Sequence, residues 1–146
     1  MTPDELRRLL DADETQYSRI APQLTAADLP MVTELAHDDD PMRASKAIYL
    51  ASLLGGSDVV AEAADATDPI LQAASASALA NLPAPARAHI AEKLVGRGDA
   101  AVDKLAIRAL EGELSPALTD RLRRLSSSSP SDVVRDLSAD TLRRLG

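Results

Sequence analysis

The chain has 146 residues, enough for about one domain, with no cysteine, tryptophan or phenylalanine and a formal net charge of −7. The missing cysteines exclude a disulfide framework, a zinc–thiolate site and a cysteine nucleophile, and the acidic balance works against nonspecific nucleic-acid binding, which draws its energy from neutralised phosphates. With 45% hydrophobic residues but only Tyr17 and Tyr49 aromatic, the core must be built from Leu, Val, Ile and Ala, which suits close helix-on-helix packing.

Along the chain, residues 3–23 read as one or two helices. Shorter amphipathic segments follow at Thr25–Ala36, Ser57–Ala66, Pro85–Val95 and Pro116–Leu125, each opened by Thr, Ser or Pro and closed near Gly, Asp or Ser, as helix boundaries should be. Between and after them run DPMRASKAIYLASLL from Asp40, DPILQAASASALANL from Asp68, DAAVDKLAIRALEGEL from Asp99 and SDVVRDLSADTLRRL from Ser131. Their apolar positions fall into columns: Met42, Leu71, Val102 and Val134; Ala47, Ala76, Ile107 and Ala139; Leu50, Leu79, Leu110 and Leu142. The leucine column advances by 29, 31 and 32 residues, a near-constant period that marks a stacked two-helix unit. Aspartate suits the N-cap and proline the first helical position, where its missing N–H costs nothing. No alternating β-branched run suggests a strand.

The expected architecture is therefore an all-α, right-handed α-solenoid forming a single domain over 1–146. Residues 1–24 form an N-terminal helical cap, followed by four helix-turn-helix repeats at 25–56, 57–83, 84–114 and 115–146. The sequence MTPDELRRLL lacks a basic region followed by an apolar run, and no apolar stretch approaches the roughly 20 residues of a membrane span. A cytoplasmic protein without a membrane partner is expected.

Asp40-Pro41-Met42-Arg43 resembles the opening of the second helix in HEAT-like repeats, especially the short bacterial kind also found in phycobilin lyases. The pattern returns at Asp68-Pro69 with Leu71-Gln72, at Asp99 with Val102-Asp103, and at Ser131 with Val134-Arg135. That resemblance implies a superhelical stack whose second helices line a concave face. The family's arginine column survives here only as Arg43 and Arg135, so an Asp–Arg ladder between repeats would be incomplete.

Several polar groups invite a chemical reading. His37-Asp38-Asp39-Asp40 could offer oxygen ligands to a divalent cation, but it lacks the alternate-residue spacing and glycine of a calcium loop; a solvated turn ending in an N-cap is the better account. His89 stands apart from any partner. Ser126 to Ser129 read as an inter-helix linker without a glycine elbow, and Glu111 with Glu113 has no apolar pocket to raise a pKa. No catalytic residue, metal or cofactor is expected.

Two surfaces remain. On the concave face the polar residues between the apolar columns are Arg43, Lys46, Gln72, Ser75, Asp103, Arg108 and Arg135, a mixed set suited to specificity. Near the C-terminus Arg121, Arg123, Arg124, Arg143 and Arg144 could recognise carboxylate or phosphate, or could simply pair with Asp120, Asp132, Asp136 and Asp140. The charge is uneven: residues 1–70 hold 5 basic and 14 acidic side chains, whereas residues 71–146 hold 11 and 9. The stripe Leu137, Leu142 and Leu145 suggests self-association through the last repeat. The function expected is a non-enzymatic scaffold or adaptor gripping a protein or peptide. The alternative is an enzyme or enzyme accessory of HEAT-like type, resembling a chromophore lyase or a DNA glycosylase; the latter would want a basic channel and aromatic residues, which the composition does not supply.

Overall fold

A computed structural model describes residues 1–146, and its architecture begins with the helix caps. Asp40 accepts hydrogen bonds from the Met42 and Arg43 amides (2.9 and 3.4 Å), Asp68 from Ile70 (2.9 Å), Asp99 from Ala101 and Val102 (2.9 and 3.2 Å), and Ser131 from Val134 (3.3 Å). Each cap satisfies amides that a helix start leaves without an intrahelical partner. From these caps run the second helices α4 (Pro41–Leu53), α6 (Pro69–Ala78), α8 (Ala100–Arg108) and α10 (Asp132–Leu145). The first helices are α3 (Leu29–Ala36), α5 (Ser57–Ala64), α7 (Ala84–Leu94) and α9 (Pro116–Ser128), with α1 (Pro3–Leu10) and the single turn α2 (Tyr17–Ile20) ahead of them.

Eight of the ten helices pack as sequential hairpins, α3 on α4, α5 on α6, α7 on α8 and α9 on α10, and α1 lies on α4. The second helices also touch one another in unbroken succession, α4 to α6 to α8 to α10, and so form one continuous layer; α5, α7 and α9 form the other. The molecule is an α-solenoid of four helix pairs. The turn between the first two pairs shows how one helix is stopped and the next begun. Gly55 takes φ +80°, open to glycine but strained for other residues, while the Gly55 and Gly56 amides bond back to the Ser52 and Ala51 carbonyls.

One apolar cluster runs through the stack from Leu6 to Val134. Leu50 and Leu79 are fully buried and Leu110 nearly so, while Leu142 is half-buried. A second column of small residues lies beside it: Ser75, Ala106 and Ser138 are fully inaccessible, and Ala78, Ala109 and Thr141 are buried with them. The Ser75 hydroxyl donates to the Val60 carbonyl of α5 at 2.9 Å, so a small side chain there lets the two helices of a pair approach closely. At the corresponding places in α4 stand Ala47 and Leu50, both fully buried, and one position before each of them stand Lys46 and Tyr49, both half-buried. The latter two meet the leader: Lys46 donates to the Leu10 and Ala12 carbonyls (2.7 and 3.3 Å), and the Tyr49 ring lies 4.6 Å from that of Tyr17.

Three expectations need correction. Met42 is 55% exposed, because it stands second in its helix, as Ile70, Ala101 and Val133 do, and not at the third position of Leu71, Val102 and Val134. In α10 it is Ser138 and Thr141 that are buried, while Ala139 faces out; the Thr141 hydroxyl reaches the Leu137 carbonyl at 2.7 Å and so can enter the core. Ser126 to Ser128 are helical, not a linker: their hydroxyls bond back to the Arg123 and Arg124 carbonyls of the preceding turn. No helix is long and apolar enough to cross a membrane.

Candidate functional site

Most of the polar side chains that the sequence places on the concave face are engaged inside the chain. In each repeat one of them, in the first turn of the second helix, reaches back to the loop that precedes it. Arg43 donates to the Asp38 carboxylate (2.9 Å), Gln72 to the Ala66 carbonyl (2.6 Å) and Arg135 to the Ser129 carbonyl (2.6 Å). In the third repeat the loop offers a donor instead, and Asp103 accepts from the Gly96 amide at 2.8 Å. The mixed chemistry of the Arg43, Gln72, Asp103 and Arg135 column follows from what each loop presents. It is a set of loop ties.

Ser75 and Asp103 are buried, at 0% and 3% exposure, so neither can touch a partner; Ser75 donates to the Val60 carbonyl at 2.9 Å. Burial pushes the Asp103 carboxyl above its ordinary value, opposed by the Gly96 amide and reinforced by Asp99. Arg43 also bonds Asp11 through two nitrogens at 2.8 and 2.9 Å. That pairing holds Asp11 below the usual carboxylate range, and Asp38 is lowered first by the Asp40 amide and then by Arg43. Arg135 adds a contact to Asp132. Of the seven residues, Arg108 alone is exposed and unpaired.

The C-terminal arginines divide in the same way. Arg143 and Arg144 both bond Asp140 at 3.1 Å, and Arg123 lies 3.8 Å from Asp120. Arg121 and Arg124 form no ion pair, and they line separate recesses on either side of Gly96. Leu137, Leu142 and Leu145 are half-buried and packed against the core, and the exposed side of α10 carries Asp132, Asp136 and Arg143. In the opening acidic stretch, Asp40 caps α4, Asp38 holds Arg43, and His37 bridges the Thr33 carbonyl and Glu62, each at 2.8 Å. No three His, Asp or Glu side chains converge on a point that would hold a metal. Further ties that the sequence did not reveal join the second and third repeats, Arg87 to the Leu82 carbonyl (3.0 Å), Lys93 to Asp65 (2.7 Å) and Arg97 to the Ala64 carbonyl (2.7 Å), while Arg87 also closes the third repeat on the Ala109 carbonyl (3.1 Å) and Glu111.

The layer of second helices presents apolar side chains to solvent along its whole length, joined on α8 and α10 by charged ones. One exposed hydrophobic side chain stands at the second position of three of the four second helices: Met42 at 55%, Ile70 at 40% and Val133 at 51% exposure. Ala101 is exposed at that position in the fourth. Behind this row the same helix faces carry Ser45 and Tyr49 on α4, Ala73, Ala74 and Ser77 on α6, Lys104, Leu105 and Arg108 on α8, and Asp136, Leu137 and Asp140 on α10, following helical spacing. Tyr17, Ser45, Tyr49, Ile70, Ala73, Ala74 and Ser77 line one shallow depression between α4 and α6 of about 280 Å³. Sequence reading missed this face because alanine and leucine in an apolar stripe look the same whether they face the core or the inner surface.

No protein-family model matches the sequence, and no curated protein matches it either. The fold is similar to the crystal structure of an engineered protein, target OR329 of the Northeast Structural Genomics Consortium, with a TM-score of 0.59 and 21% identity over 97% of this chain and 78% of the other. At that identity the likeness bears on the arrangement of the helices alone.

Proposed function

We propose that the chain is a non-enzymatic binding module of HEAT-like type that takes a protein or peptide segment across the inner face of its second helices. The observation that carries this reading is the row Met42, Ile70 and Val133, exposed apolar side chains at one position of the first, second and fourth repeats, with the smaller Ala101 at that position of the third. A lone exposed hydrophobic residue needs no explanation, whereas a row of them with half-buried Tyr49, Ala74, Leu105 and Leu137 behind it is a contiguous apolar patch of the kind found at interaction surfaces. The depression between α4 and α6, at about 280 Å³, falls just under the ~300–1,000 Å³ usual for small-molecule pockets and suits a side chain of a partner. A chain without cysteine fits the cytoplasm.

Affinity capture from nuclease-treated lysate of the source cell tests the reading, with the wild type compared against Met42→Glu and Ile70→Glu. Both substitutions sit in the first turn of a helix, where a carboxylate is favoured by the dipole, so the fold is retained. A stoichiometric protein recovered by the wild type and lost with both variants is the expected result. Recovery that ignores them, or recovery of nucleic acid alone without nuclease, would refute the inner face as the binding surface.

A further inference from the structure

We infer that the segment taken by the inner face carries an apolar side chain, seated over α4 and α6, and a carboxylate about one helix spacing further on, held by Lys104 and Arg108 of α8. This inference rests on the inner-face reading above and adds the chemistry of the occupant.

The argument is one of charge placement along the face. The α4 and α6 portions are neutral: Ser45, Tyr49, Ile70, Ala73, Ala74 and Ser77. On α8, Lys104 and Arg108 stand one turn apart, so both project from one helix face; Lys104 is half-buried and Arg108 exposed. Neither forms an ion pair, and the pairs on this half of the chain run between other side chains. The acids on the same face lie on the far side, on α10. Asp140 is already held by Arg143 and Arg144 at 3.1 Å, leaving Asp136 as the free carboxylate there. A ligand carboxylate approaching from the α6 side therefore meets two cations and no competing acid. Neighbouring packed helices lie about 8–10 Å apart, and an extended chain advances about 3.3 Å per residue. An apolar residue and an Asp or Glu three positions apart on an extended peptide would then reach both places, the guanidinium of Arg108 receiving the carboxylate through paired N–H donors.

The test is a phage-displayed library of random 12-residue peptides, panned on the full chain and on the double variant Lys104→Glu/Arg108→Glu, with Ile70→Glu as the reference for the face itself. Peptides enriched on the wild type should pair an apolar residue with Asp or Glu. Synthetic copies should bind the double variant at least tenfold more weakly by fluorescence anisotropy, and panning on that variant should enrich Lys and Arg instead. Circular dichroism confirms that each variant is folded. Peptides that are lost with Ile70→Glu but indifferent to the Lys104/Arg108 reversal would overturn this inference and leave the inner-face reading standing. No enriched peptide, or only peptides indifferent to Ile70→Glu, would overturn both.

Discussion

The two ends of the stack are finished by different chemistry. At the N-terminal end the two-turn helix α1 lies on α4, buries Leu6 and Leu10 in the core and is tied further by polar groups: Arg43 grips Asp11 with two nitrogens, and Lys46 takes the carbonyl that closes α1. At the C-terminal end α10 packs on α8 and α9 as any inner helix packs on its neighbours, through the buried small residues Ser138 and Thr141. The buried column of small residues runs through all four second helices, as Ala47, Ser75, Ala106 and Ser138; where a short leader covers the stack, long side chains beside that column reach out to hold it. In α4 packing and tethering thus fall to adjacent residues, Ala47 and Lys46.

The largest effect expected from breaking this comparison comes from exchanging the two kinds of residue. Ala106→Leu forces a large side chain into the fully buried small column and should destabilise the fold by about 1–3 kcal/mol, the usual cost of overpacking a close-packed core. Lys46→Leu, beside that column in α4, loses only its bonds to the leader and should cost about 0.5–1.5 kcal/mol. Urea denaturation of the two variants decides the matter. Equal losses would mean that the small column is not closely packed.

A smaller effect separates the ties themselves. Asp103→Ala leaves the Gly96 amide without its acceptor and should cost about 0.5–1.5 kcal/mol. Asp103→Asn keeps an acceptor and removes a buried charge, so it should match or exceed the wild type at pH 7. The sign follows from the raised carboxyl of Asp103: the folded state holds that proton more tightly than the unfolded state, so wild-type stability grows as pH falls from neutrality into the range between the raised value and the ordinary 3.8. The asparagine variant lacks this gain. Its advantage should shrink as the medium is acidified, and an advantage that is constant with pH would show that Asp103 titrates as an ordinary acid.

Arg43 makes the same kind of tie at the other end, but half-buried and shared with the leader. In Arg43→Ala, hydrogen exchange should quicken several-fold in α1 and the 36–40 loop while α6 to α10 keep their protection. Raised salt should reproduce part of that loss in the wild type, since exposed pairs are screened. Because Asp11 and Asp38 are both held low in the fold, their contribution is complete at neutral pH and is lost as pH falls through the lowered values. Uniform exchange across all helices would make the cap an integral part of the cooperative unit instead of a tethered one.

Why some of this was legible in the sequence and some was not comes down to what each residue can do alone. Asp40, Asp68, Asp99 and Ser131 cap a helix through bonds to amides two or three positions away, so spacing suffices to read them. Leu50, Leu79 and Leu110 are buried wherever a helix has one apolar stripe. Gln72, Asp103 and Arg135 are different: each can point to solvent or back to a loop, and only the loop's path decides. Met42 is exposed because it stands second in its helix, level with Ile70 and Val133, whereas the apolar pattern also allows a register one residue away. The inner face shares its alanines and leucines with the flanks, and Lys104 stands out only once Arg108 is known to lie a turn away on the same exposed side.

The smallest effect lies on the first helices, where α3 and α5 make little contact with each other and His37 spans the gap. Both of its ring nitrogens face acceptors, the Thr33 carbonyl and the Glu62 carboxylate, so the doubly protonated imidazolium is the form that satisfies both. The bond to Glu62, followed by that to Thr33, raises the histidine above its ordinary 6.5. A group raised on folding contributes stability that is complete below the unfolded value and fades as pH rises through the folded one. His37→Ala should therefore cost about 0.2–1 kcal/mol at pH 6, the range of exposed pairs, and next to nothing at pH 8.5. Glu62→Gln should show the same pH dependence, because it removes the acceptor that favours the proton. A loss from His37→Ala that is undiminished at high pH would assign the histidine a packing role at the N-terminal end, and would leave the link between α3 and α5 without an electrostatic part.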